Sequence, residues 1–219
     1  MKVKIPYEGV ILIRGENQYE LASSFMRLQE FYESPLSGVR GKFFTLEEYM
    51  DKYAAEYGNF TYTKDWTGFN VPGNVVENFF KLFPKKTLLK KELALRDLIF
   101  NEVDRSKSYY VIGTFTDGAV LNHELSHAFY YLDRKYRTKA NELVTKFPAK
   151  LVETLHTHLL DQGYCKQVLQ DETFAYLSTS GIVEIVDMLE TENLPWKQIF
   201  KIQKFAADVR KQKRLTRGH

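Results

Sequence analysis

This chain of 219 residues has little of what marks a secreted, membrane-spanning or nucleic-acid-binding protein. Cys165 is the only cysteine, so no internal disulfide can form. The apolar run near the start, Val10 to Ile13, stops at Arg14 and is too short for the core of a signal peptide. No stretch has the length of a membrane span. Together these absences place the chain in a reducing cytoplasm with no membrane partner, where the sequon Asn59-Phe60-Thr61 has no use. The net charge is only +3, which does not supply the strongly basic face of a dedicated nucleic-acid binder. The one local excess noted, Arg210, Lys211, Lys213, Arg214 and Arg217, reads as a solvated helix end and tail. There is no internal repeat and no low-complexity linker.

What is present is an ordinary globular balance, with 14 Tyr and 16 Phe to fill a core. Val10 to Ile13 reads as a short strand, and Leu21, Phe25, Leu28 and Phe31 give residues 18–32 helical spacing. Thr45 with Glu48 fits a capping box opening a helix to about Tyr57. Phe60 to Thr63 is a candidate strand. Asp65 to Gly73 reads as a loop, whose Trp66 and Phe69 could line a pocket or pack on the core. Asn74 with Glu77 starts a helix that ends before Pro84, and Thr87 can cap another reaching about Asn101. Tyr109 to Phe115 is β-branched and aromatic, hence a strand. A well-buried helix follows from Ala119 to about Leu132. Further helices are expected at 134–146, 148–161, 165–178 and 195–214, the last with Pro195 in its first turn. The expected fold is α+β, mostly helical with a small mixed sheet. One domain is favoured; a boundary, if present, falls near residue 104, dividing 1–104 from a motif-bearing part, 105–219.

The chemistry concentrates in His123-Glu124-Leu125-Ser126-His127, which matches H-E-x-x-H. Histidines four apart lie on one helix face, about 6 Å apart along the axis, so two imidazoles can bind one metal ion. Glu124 can then reach a metal-bound water, not the metal, and act as general base. Chance produces this pattern in roughly one chain in a hundred of this composition. Here it interrupts an otherwise apolar helix, where unpartnered polar groups are costly.

The strand Tyr109–Phe115, the motif helix, and a later helix with Asp171-Glu172-Thr173-Phe174-Ala175-Tyr176 together resemble the zincin metallopeptidases, and within them the thermolysin-like gluzincins. The resemblance covers about residues 108–178 and leaves the first 105 unmatched. It implies a motif helix packed under an edge strand, Zn2+ held by His123, His127 and Glu172, and an extended peptide added to the strand at Gly113, Thr114 and Phe115. It implies hydrolysis of peptide bonds in a peptide or protein substrate by Glu124-assisted attack of zinc-bound water. Tyr176 is the candidate oxyanion donor, with Tyr130 and Tyr131 as other nearby hydroxyls. Asp133 is a rival third ligand at the metzincin spacing, but Tyr130 stands where that branch needs Gly. Tyr176 also stands where the thermolysin-like pattern has an Asp orienting a ligand His, so Asn122 or Asp171 is left for that role. His156 and His158 read as surface or supporting groups, and Cys165 as an idle thiol. The alternative function is a non-catalytic zincin-like module that binds a partner.

Overall fold

Val10–Arg14 (β2) and Tyr110–Thr114 (β4) are almost wholly buried, and they run side by side at the centre of a four-stranded sheet. The computed structural model describes residues 1–214 of the chain. Arg217 of the basic tail lies outside the described residues. The sheet order is β1-β2-β4-β3, where β1 is Lys2–Tyr7 and β3 is Gly68–Pro72. β2 and β4 pair in parallel, Val10 opposite Tyr110 and Arg14 opposite Thr114; both outer pairings are antiparallel. Inner strands covered on both faces carry continuous apolar runs, which is why these two are legible. Edge strands escape that pattern. β1 alternates Lys with apolar residues and is mostly exposed, while β3 holds Gly68, Asn70 and Pro72. Proline is tolerated there because only one side of β3 is paired. The expected loop at 65–73 is therefore partly a strand, and Phe60–Thr63 is not one: Tyr62–Asp65 forms a single helical turn, α3.

The chain divides into two units, Met1–Val120 and a second that begins at Leu121. The division falls well after residue 104 because β4 is an inner strand of the first unit's sheet. That unit also holds α1 (Gln18–Glu33), α2 (Leu46–Tyr57), α4 (Gly73–Leu82) and α5 (Lys90–Phe100). Thr45 opens α2 with the expected reciprocal capping box. Thr87 does not cap α5; it ends a 3-10 turn, and Glu92 instead accepts from the Leu89 amide. Inside, Arg27 of α1 donates through Nε to Glu92 Oε1 (2.8 Å), and its Nη2 donates to Glu92 Oε2 and to Thr87 O. Both side chains are essentially fully buried, so each charge depends on the other.

The second unit takes in the helix α6 (Ala119–Leu132) from Leu121 on, then α7 (Arg134–Thr145), α8 (Ala149–Asp161), α9 (Leu169–Thr179), α10 (Ile182–Leu189) and α11 (Trp196–Lys213). α10 fills a stretch with no expected element, and Pro195 stands at the N-cap position of α11, just before its first turn and without a side-chain cap. α9 is central, packed against α7, α8 and α11. Phe174 on α9 contacts Tyr136 of α7 and Phe205 of α11, and Tyr136 also meets Phe129 of α6. Helix accounts for 62% of the structure, which with the small mixed sheet makes the fold α+β and mostly helical, as expected.

Gly113 lies where α1 crosses β4, and a Cβ there would sit 2.8 Å from the Phe25 ring. Phe25 is itself buried and stacked on Phe69, so it has no room to withdraw. Gly113→Ala should lower the free energy of unfolding by about 1–3 kcal/mol in urea titrations, the usual cost of overpacking; an unchanged midpoint would show that α1 can retreat from the sheet. Arg27→Met should cost about 3–5 kcal/mol by stranding Glu92, and adding Glu92→Leu should recover most of it.

Candidate metal centre

α6 presents His123 and His127 one turn apart, and α9 presents Glu172 opposite them. The two Nε2 atoms are 3.1 Å apart, and each is 3.5 Å from Glu172 Oε2. The point equidistant from these three atoms is about 2 Å from each, the length of a zinc–nitrogen or zinc–carboxylate bond. His127 and Glu172 are buried, and His123 is half-buried.

Hydrogen bonding on the far side of each ring decides what its near side offers. His127 Nδ1 is 3.0 Å from Asp171 Oδ2. A carboxylate only accepts, so Nδ1 carries the proton and Nε2 of the neutral ring is a bare lone pair. His123 Nδ1 faces Thr179 Oγ1 at 3.4 Å. That hydroxyl gives its own hydrogen to Ala175 O (2.7 Å), so towards His123 it can only accept; with the proton on Nδ1, the second Nε2 is a lone pair as well. Glu172 Oε2 is buried and accepts no hydrogen bond. When both rings are neutral, three acceptors converge on one point, an arrangement that a cation or a second proton on His127 relieves.

The surrounding charge has the matching sign. Burial pulls the His127 pKa down, but the carboxylates of Glu172, Asp171 and Glu124 outweigh it and hold it well above the ordinary value. For Glu172, burial pushes the pKa up, and the two imidazoles bring it below the usual carboxylate range. Glu172 and Asp171 both lie in the first turn of α9, where the helix dipole favours negative charge.

The other expected residues divide clearly. Glu124 is buried and acts electrostatically on both His127 and Tyr176. The Tyr176 ring stands edge-on to His123, centroids 4.8 Å apart, and its hydroxyl meets that of Tyr164 at 3.1 Å. Burial pushes the Tyr176 pKa up to about 12, so at neutral pH it is a hydrogen-bond donor. Asp133 is not with the cluster: its Oδ1 caps α7 on the Lys135 and Tyr136 amides, and its Oδ2 pairs with Lys213. Tyr130 donates to Asn141. Of the two candidates left for orienting a histidine, Asp171 does so. His156, His158 and Cys165 stand outside the cluster. The edge-strand expectation is corrected. Tyr110–Thr114 is paired with β2 on one side and β3 on the other, so the β4 backbone at Gly113 and Thr114 is taken and cannot receive a peptide as an extra strand. Thr179 and Tyr164 were missed; Thr179 lies seven residues beyond Glu172, on the same helix face, and that spacing is the only signal that could have found it.

No family model, curated protein or solved structure matches this chain.

If Asp171 and Thr179 hold the rings in this tautomer, Asp171→Ala and Thr179→Val should each weaken Zn2+ affinity by about 10–100-fold, the usual cost of losing an orienting partner. Competition with a chromophoric chelator measures this. Asp133→Ala should leave affinity within twofold, roughly the scatter of distant surface changes.

Proposed function

We propose that this protein is a zinc-dependent hydrolase of the metallopeptidase kind, resembling the gluzincins, acting on a peptide or protein substrate. The observation that carries the reading is the convergence of two imidazole nitrogens and one buried carboxylate oxygen at spacings suited to a single small ion. Two histidines and one glutamate form a donor set used by catalytic zinc, which keeps three protein ligands where structural zinc takes four. Bound there, zinc would supply Lewis acidity and a water of lowered pKa.

The remaining work falls to this chain's own side chains. Glu124, buried beside the first histidine, is the general base: its carboxylate takes the proton from the attacking water and returns it to the leaving amine. Tyr176, kept protonated, is the candidate donor to the developing oxyanion, with its hydroxyl held ready by Tyr164. Asp171 and Thr179 hold the histidines in the tautomer that can bind metal. A cytoplasmic setting fits the single cysteine and, among the described residues, the lack of any helix long and apolar enough to cross a membrane.

Metal analysis of the purified protein and its variants tests this reading. Glu172→Ala should lose bound zinc. Glu124→Gln should keep it while lowering hydrolysis of a denatured protein substrate by at least about 100-fold, in line with the usual worth of a general base. A Glu124→Gln variant that cleaves as fast as the parent sinks the mechanism. A zinc-loaded parent that cleaves nothing turns the site into a partner-binding module.

A further inference from the structure

The first unit carries a charge concentration that the whole-chain balance conceals. Residues 34–46 and 78–91 contain no acidic residue, and together they hold Arg40, Lys42, Lys81, Lys85, Lys86, Lys90 and Lys91. That is seven cations in a chain whose net charge is +3, so the rest of the chain is net acidic. The two segments form one surface. Phe43 packs on Phe83 with centroids 5.0 Å apart, and the Arg27 guanidinium donates to both Phe44 O and Thr87 O. Of the acids that flank the two segments, Glu48 accepts from the Thr45 amide, Glu77 pairs with Arg105, and Glu92 is buried under Arg27; Glu33 and Glu47 mark the ends of the first segment. Lys91 is tied to the Ser23 hydroxyl. The other six cations are exposed and enter no ion pair among the described residues. Lys90 and Lys91 also open α5, where the helix dipole repels positive charge.

Among these cations stand large apolar side chains turned to solvent. Phe43 is 42% exposed, Leu82 43% and Leu89 36%. Lysines interleaved with exposed aliphatic and aromatic groups match the two layers of an anionic bilayer surface, charged headgroups over hydrocarbon. A nucleic acid would match the charge but has no use for Leu82 and Leu89, which offer no aromatic face on which a base could stack. We infer that this corner of the first unit docks on membrane surfaces rich in acidic phospholipid. The absence of a spanning segment does not bear on this, because docking of this kind stays at the headgroup boundary.

Co-sedimentation of the full chain with vesicles tests the inference. Vesicles of phosphatidylcholine mixed with phosphatidylserine should bind at least about tenfold more tightly than phosphatidylcholine alone, and added salt should erase the difference. Lys85→Glu, Lys86→Glu and Lys90→Glu together should weaken binding by at least about 100-fold. Leu82→Ser with Leu89→Ser should weaken it by about tenfold while leaving it salt-sensitive. Unchanged thermal melts would show that each variant is folded. Equal binding to neutral vesicles, or undiminished binding by the charge-reversed variant, overturns the inference. So does capture of a single-stranded oligonucleotide or an acidic peptide by a protein that ignores the anionic vesicles.

Discussion

The second unit is organised around the electrostatics of two imidazoles and a carboxylate brought to one point. Two imidazole nitrogens and one carboxylate oxygen face that point, and the acceptors behind the rings favour a proton on each Nδ1. Asp171 cannot donate, and Thr179 has already given its hydrogen away. Much else in this unit serves to hold that arrangement. Phe174, between Tyr136 and Phe205, fixes α9 against its neighbours. The Ser126 and Ser178 hydroxyls meet at 3.3 Å between α6 and α9.

The two units handle buried charge differently. In the first, Arg27 and Glu92 neutralise each other, and the remaining donors of Arg27 reach backbone carbonyls. Such a pair is self-sufficient and needs nothing from outside. In the second, Glu172, Asp171 and Glu124 all act on one imidazole, His127, and together they outweigh the burial that would keep it neutral.

Sequence alone reached the central features because they are local. The H-E-x-x-H spacing places both histidines on one face of α6, and periodicity marks α6 and α9 as helices. Glu172 rested on a resemblance in place of spacing, since nothing local connects it to a helix some forty residues earlier. Asp133 was a rival only on its distance along the chain; in the folded protein it is spent as a helix cap. The features that escaped are those whose reason is tertiary. β1 and β3 are strands because β2 and β4 offer them hydrogen bonds, and their own polar, glycine- and proline-containing sequences do not announce it. The edge-strand expectation failed for the same reason: β4 looks alike whether one side is paired or both.

The enclosed position of β4 leaves the sheet open only at its rims. A segment zipped onto a free strand is held by its main chain, which is the same for every sequence. With β4 satisfied on both flanks, such pairing is left to the outer strands β1 and β3. β1 carries Lys2 and Lys4, and β3 ends in Pro72, features that discourage a further strand from joining.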